Sequence, residues 1–178
     1  MIKSKRIMLR PVVEEDWELR YKWLSDRDVN ATLPSGSGLP LTPNAVRERT
    51  RKYAESNDKG IYFTIVGEDN KPIGNAQLFK IDPWNRHAEI GLWIGEKSEW
   101  GKGYGTEVTE ILVQFAFNRL NLHKVYLTVD ADNVGAIRCY EKVGFHSDGI
   151  LRDEIYKNGK YVNRIYMSLL KTDIRRAY

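Results

Sequence analysis

The chain reads as an α+β domain with a mostly antiparallel sheet and helices on its faces. Three observations lead there. Segments whose apolar residues recur at every second position are interspersed with segments whose apolar residues recur at helical spacing. Strand-like segments follow one another across short turn sequences at Gly67-Glu68-Asp69-Asn70-Lys71 and at Asn158-Gly159, which favours antiparallel neighbours. The length, 178 residues with 42% apolar and 29% charged side chains, suits one soluble domain over residues 1–178 with a core of its own.

The elements follow in order. Residues 6–12 form a first strand, with Pro11 placing it near an edge or an end. Residues 14–26 form a helix on which Trp17, Arg20, Tyr21 and Leu24 share one face. Residues 29–41, with Pro34, Ser35, Gly36, Ser37, Gly38 and Pro40, form a flexible loop. Thr42-Pro43 supplies the N-cap and first-turn proline of a helix running to about Ser56. Strands at 61–66 and 72–80 come next, then a loop over 81–87 and a third strand-like run over 88–95. The helix over 104–120 carries an apolar stripe of Val108, Ile111, Leu112, Phe115 and Ala116. In residues 124–130, Val125, Leu127 and Val129 alternate with Tyr126, Thr128 and Asp130, the pattern of a half-buried strand. Asn133 caps a short helix that ends at Gly144. The closing hairpin turns at Asn158-Gly159, a type I′ pair. A two-residue turn sets Lys157 against Lys160, Tyr156 against Tyr161, and Asp153 against Arg164.

Composition narrows the function. A net charge of +4, from 28 basic and 24 acidic residues, suits an anionic ligand but is too small to indicate nucleic acid. Lys171, Arg175 and Arg176 supply part of it and read as a solvated tail. The single cysteine, Cys139, excludes an internal disulfide and a zinc cluster, and no metal is expected. No segment resembles a signal peptide, and no apolar run approaches the roughly 18 residues of a membrane span. The cytoplasm is the expected location, with neither a membrane nor a nucleic acid as partner.

The most telling run is Trp100-Gly101-Lys102-Gly103-Tyr104-Gly105-Thr106-Glu107, between a strand-like segment and an amphipathic helix. Its glycines let the backbone curl closely around a ligand, and the helix behind them aims unpaired N–H groups at the same place. That combination is an anion site, most often for phosphate. The run lacks the G-x-x-x-x-G-K-[ST] of a P-loop, and Thr106 stands where a dinucleotide fingerprint needs its third glycine.

The run does resemble the coenzyme A pyrophosphate loop of the GNAT acetyltransferase superfamily, R/Q-x-x-G-x-G/A, with Trp100 in place of Arg or Gln. A second segment, residues 132–145, resembles the superfamily's N-x-x-A-x-x-x-Y-x-x-x-G-F pattern at Asn133, Ala136, Tyr140, Gly144 and Phe145. The two motifs span residues 88–145. Ala88-Glu89-Ile90-Gly91, Leu120-Asn121-Leu122-His123-Lys124 and the closing hairpin further resemble the branch of ribosomal-protein N-terminal and spermidine acetyltransferases.

The resemblance implies a GNAT-like mixed sheet with splayed central strands, and transfer of an acetyl group from acetyl-CoA directly to a primary amine, with coenzyme A as product and no metal. The amine would be a protein N-terminus or a small molecule such as a polyamine or amino sugar. Pantetheine would pair with the backbone of Leu92, Trp93 and Ile94, and Asn133 would add a contact beside its capping role. The diphosphate would sit on the amides of Gly101, Lys102, Gly103, Tyr104, Gly105 and Thr106. Lys102, Arg138 or Lys142 would reach the nucleotide phosphates. Tyr140 would protonate the departing thiolate, and Glu89, with His87 as runner-up, would deprotonate the amine. An alkyl amine of pKa about 10.4 is neutral only about once in a thousand at pH 7.5, so it needs that base more than an α-amine of pKa about 8 does.

Helical spacing turns Cys139 to a different face from Tyr140, as a packing residue. The acceptor would be selected by the 29–41 loop, the first two helices and the 81–87 loop, where Asp26, Asp28 and Asp82 could attract a cationic amine. Of Trp17, Trp23, Trp84 and Trp93, most would pack in the core. A homodimer is the superfamily expectation. The alternative reading is a non-catalytic acyl-CoA-binding or interaction domain.

Overall fold

The computed structural model describes residues 1–33, 41–55, 59–157 and 159–174. Two short strands, β1 (Ile2–Lys3) and β2 (Met8–Pro11), lead through a 3-10 turn to α1 (Trp17–Ser25), α2 (Arg27–Ala31) and α3 (Pro43–Ala54). A meander follows: β3 (Gly60–Val66), β4 (Pro72–Asp82) and β5 (His87–Ile94). Then come α4 (Tyr104–Asn118), β6 (Lys124–Asp130), α5 (Val134–Val143), the hairpin β7 (His146–Lys157) and β8 (Lys160–Leu170), and a closing turn of helix, α6 (Lys171–Ile174). The strands form one sheet in the order β1-β2-β3-β4-β5-β6-β8-β7. Every neighbouring pair is antiparallel except β5 and β6.

The parallel pair positions the site. β5 and β6 are in register only at His87–Lys124, Ala88–Val125 and Glu89–Tyr126. Beyond Glu89 they part, while β6 stays paired to β8 as far as Asp130–Arg164. The sheet is therefore split beside Ile90–Ile94, as the expected splay requires.

Strand alternation gives the sheet two unlike faces. On one face the register aligns Leu9, Ile65, Ala76, Leu78, Ile90, Val125, Leu127 and Leu169, all buried with Val108 and Leu112 of α4 in the main core. The other face aligns Arg10, Thr64, Asn75, Gln77, Glu89, Tyr126, Tyr166 and Arg164. α1 and α3 cover the β2–β5 half of this polar face. Trp23 meets Trp93 edge-on at 5.7 Å, and Tyr53 stacks on Tyr62 at 4.2 Å.

Several expectations need correction. Residues 29–31 belong to α2, whose N-cap Asp26 accepts from the backbone amides of Asp28 and Val29; residues 34–40 of the expected loop lie outside the described residues. The first strand is only Met8–Pro11, because residues 4–7 turn back to pair β1 with β2. β4 runs on through Ile81 to Asp82 across an irregularity after Phe79, where Lys80 takes a left-handed φ of 50°. The hairpin keeps Lys157 against Lys160 and Tyr156 against Tyr161, although Asn158 of its turn lies outside the described residues. Asp153 does not face Arg164. The register breaks between Leu151 and Ile155, Asp153 adopts a φ of 51°, and Leu151 takes the place opposite Arg164. Arg164 bonds instead to buried Asp130 across the β6–β8 pair, at 3.1 Å.

Candidate functional site

The glycine run forms a bare helix tip. Gly101 and Gly103 have φ values of 76° and 85°, which side chains other than glycine rarely tolerate, and a Cβ on Gly101 would meet nothing within 4 Å. Gly103 is the N-cap of α4 and brings no capping side chain, so the first-turn amides face outward unblocked. Glu107 braces the tip from below. It accepts hydrogen bonds from Ser4 Oγ, the Arg6 amide and Arg6 Nε, and Arg6 Nη1 in turn donates to the Lys102 carbonyl at 3.0 Å. Burial pushes the Glu107 carboxyl up, but these donors and the Arg6 charge outweigh it and hold it below its ordinary value. Tyr104 Oη donates to Glu68 at 2.8 Å, tying the first turn to the β3–β4 connection.

Trp100, the departure from the motif, stays partly exposed but is tied to the strand by its indole. Nε1 donates to the Ile94 carbonyl at 2.9 Å, at the end of β5 where the sheet has split. The residue thus fastens the loop to the strand.

A cleft of about 1240 Å³ runs through the split and joins the two faces of the sheet. Leu92, Trp93, Ile94, Gly101, Gly103, Tyr104, Gly105, Thr106, Asn133, Tyr140 and Glu89 all line it. Lys102 does not: its ammonium pairs with Glu99 at 3.0 Å. Arg138 and Lys142 do line it, which makes them the better placed of the three basic residues weighed for phosphate. Asn133 accepts from the Ala136 amide at 3.2 Å, so its capping role is present. Cys139 borders the cleft as well as Tyr140; its Sγ accepts from Thr106 Oγ1 at 3.4 Å, joining α5 to the first turn of α4.

Tyr140 is 9% exposed and its ring lies 5.9 Å from that of Phe145. Burial, with a smaller contribution from Cys139, pushes its phenol far above the ordinary value, so it keeps its proton. Glu89 is buried on the polar face, and its Oε2 accepts from Lys80 Nζ at 2.7 Å. The hydrogen bond to Glu89 raises the Lys80 pKa. Tyr126 and Tyr166 stack at 5.1 Å beside this pair, and burial, with the neighbouring Tyr126, lifts the Tyr166 phenol to about 12. His87 stands edge-on to Tyr126 at 5.6 Å, with a buried Nδ1 that has no partner among the described residues.

Asp26, Asp28 and Asp82, expected at the acceptor end, are absent from the lining, whose carboxylates are Glu89, Glu99, Asp130 and Glu154. Asp26 and Asp28 are held by Lys97 at 2.8 and 3.0 Å, and Asp82 accepts from the amides of Trp84 and Asn85. Arg20, Arg49, Tyr53, Tyr62, Asn75 and Gln77 line that end instead. Of the tryptophans weighed for the cleft, Trp93 lines it, Trp23 is buried against Trp93, and Trp84 is 90% exposed. Sequence reasoning missed Arg20, Asn75 and the tyrosine pairs. Arg20 did leave a signal: it was the charged member of an otherwise apolar helix face.

A bare helix tip beside a split sheet, with a buried phenol and a buried carboxylate on the same cleft, defines a transferase that takes its group from a phosphate-linked carrier. Comparison with known proteins makes the class specific. The family model described as an acetyltransferase (GNAT) domain matches residues 6–146. Spermidine N(1)-acetyltransferase of Escherichia coli is 36% identical over 176 residues, covering 96% of this chain and 89% of that protein. The putative ribosomal N-acetyltransferase YdaF of Bacillus subtilis is 34% identical over 125 residues, 69% of this chain and 65% of that protein. The crystal structure of spermidine N-acetyltransferase from Vibrio cholerae in complex with CoA and spermine superposes with a TM-score of 0.83 at 25% identity, covering 94% of this chain and 96% of that one. The chain belongs to the GNAT acetyltransferase family. It is an acetyl-CoA-dependent N-acetyltransferase that moves an acetyl group to an amine, and the non-catalytic alternative finds no support.

Among the described residues no helix is long and apolar enough to cross a membrane, and no group of three or more His, Cys, Asp or Glu could hold a metal. The site's residues suit the carrier. The uncapped tip offers donors to a diphosphate, the open space at Gly101 admits it, and the split at Ile90–Ile94 leaves β5 without a strand partner on that side.

Proposed function

We propose that the protein, as a single acetyltransferase domain, acetylates a small-molecule amine or a protein N-terminus by direct transfer, with Tyr140 as general acid and Glu89 as general base. One observation carries this reading: a single cleft is lined by the glycine tip, by Tyr140 and by Glu89. Bound acetyl-CoA supplies the acetyl group as a thioester. The amides of Gly101 to Thr106, with Arg138 or Lys142, hold its phosphates, and Leu92, Trp93, Ile94 and Asn133 hold its pantetheine arm. Glu89 takes the proton that the attacking amine loses, directly or through a water, on the oxygen that Lys80 leaves open. Tyr140 gives its phenolic proton to the departing sulfur. A thiolate already leaves fairly well, so this donation is worth roughly 10- to 100-fold.

Relatives named for spermidine and for ribosomal substrates bracket the acceptor class without fixing it. On this reading the enzyme works in the cytoplasm. A homodimer is supported by β7, a nearly fully exposed edge strand that presents Ile150 and Leu151, and sedimentation velocity checks it.

Mass spectrometry of an amine panel with acetyl-CoA tests the reading. Acetylated product is expected, and Tyr140→Phe should lower kcat by roughly 10- to 100-fold with little change in KM. An unchanged kcat removes Tyr140 from the chemistry. A protein that gains no thermal stability from acetyl-CoA at 100 times a micromolar Kd, where linkage predicts about 2.7 kcal/mol, removes the cofactor site.

A further inference from the structure

Arg20 projects from α1 toward the polar face of the sheet and lines the cleft, yet it is only 5% exposed. Its guanidinium carbon lies 4.9 Å from the Tyr53 ring centre and 5.8 Å from that of Trp93. Among the described residues its Nε has no hydrogen-bond acceptor, and no carboxylate forms an ion pair with it. Asp16 is the one carboxylate whose charge favours it, but Asp16 is spent on Arg10, the Val13 amide and Thr64. Arg49 borders the same cleft and adds a second positive charge. Burial lowers the Arg20 pKa to about 10, which leaves it charged at neutral pH. A buried cation with an unused donor is costly unless something negative completes it.

On β4, Asn75 sits directly opposite Trp93, and its buried Oδ1 also lacks a donor among the described residues. Further along the same face of β5, four residues and about 13 Å from Trp93, stands the carboxylate of Glu89. The polar face thus has a carboxylate at one end and, at the other, a guanidinium whose Nε is left without an acceptor among the described residues.

Resting on the acetyltransferase reading above, we infer that the preferred acceptor is a dipolar amine: its amino group lies toward Glu89 and a carboxylate several bonds away docks on Arg20. Amines of this class include ω-amino acids and short peptides with a free C-terminus. The preference is opposite in charge to that for a polyamine, whose second ammonium would face Arg20 and Arg49.

The test uses matched acceptors with the full chain and acetyl-CoA. 6-Aminohexanoate is set against 6-aminohexanamide and 1,6-diaminohexane, and triglycine against triglycinamide, so the two pairs separate a free small molecule from a peptide source. In each pair the carboxylate is expected to raise kcat/KM by about tenfold or more, the scale of a hydrogen bond to a charged group. With coenzyme A present, it should also give the larger thermal shift, a readout independent of turnover. In Arg20→Gln, and in Arg20→Lys if the first variant folds poorly, the carboxylate-to-amide ratio should fall toward one, whereas a purely structural Arg20 would lower both acceptors alike. Equal or better use of the amides or the diamine by the wild-type protein overturns the inference and leaves the enzyme an acetyltransferase. Absence of any acetylated amine together with no thermal response to acetyl-CoA overturns the acetyltransferase reading itself.

Discussion

The two faces of the sheet are built from the same strands and teach different lessons. On the face toward α4, Leu9, Ile65, Leu78, Leu127 and Leu169 are essentially sealed from solvent. On the other face, among the described residues, Asn75 Oδ1 and Arg20 Nε are both buried and unpartnered, and Glu89 has one oxygen left open. One face is satisfied within the protein. The other carries polar atoms that the fold itself does not satisfy, and such atoms in a native structure call for an explanation in function. Alternation along each strand separates the two jobs, so substitutions one residue apart should fail in different ways.

The largest expected effect lies on the apolar face. Leu78→Ala removes a fully buried side chain and should cost about 2–5 kcal/mol in chemical denaturation, with acceptor selectivity unchanged. Gly74→Ala should follow. Its Cβ would stand 2.2 Å from the Trp93 carbonyl, a backbone atom with little room to yield, so a loss of about 1–3 kcal/mol is expected in the same assay. A Gly74→Ala protein of wild-type stability would mean that β4 and β5 shift freely, and would break the contrast.

Acid should act through the polar face. Burial pushes Asp16 up, but hydrogen bonds from Arg10, Val13 and Thr64 and the Arg10 charge pull it net below its ordinary 3.8. A carboxyl depressed in the folded state gives stability that is complete above its unfolded pKa and is lost as pH falls through the folded one. Stability measured by denaturant should therefore decline below about pH 4, and Asp16→Asn should decline less steeply there. The smallest effect on stability is expected for Gly91→Ala, between Glu89 and Trp93 on the polar face. Its Cβ would come within 3.0 Å of Gln77 Nε2, the tip of a flexible side chain, so stability should change by less than about 1 kcal/mol. The acceptor KM should nevertheless rise several-fold in steady-state kinetics, because the methyl group narrows the cleft floor.

The carrier half of the site was legible because its requirements are local. Glycines at 101 and 103 meet a backbone demand, the helix starts where they end, and Asn133 caps the next helix by its own side chain. The acceptor half was not legible, because register across β3 to β6 assembles it and α1 completes it. Arg20 appeared as a member of a helix face with Trp17, Tyr21 and Leu24, and only packing against Tyr53 and Trp93 shows that this charge is buried. The hairpin misled for a similar reason. Counting back from Asn158-Gly159 assumes regular pairing, but Asp153 breaks the ladder and Arg164 finds a stronger partner in Asp130, on a strand the hairpin pattern does not include.

The brevity of the parallel pairing has a mechanical consequence. With three registered positions joining β5 to β6, the sheet is built as two leaves held by a short seam, backed by α4. A molecule lying along the open part of the seam counts, in hydrogen-bonding terms, as a ninth strand. Amides along the lips of the seam should exchange with deuterium quickly when it is free and slowly when it is filled, so the backbone itself keeps a record of occupancy.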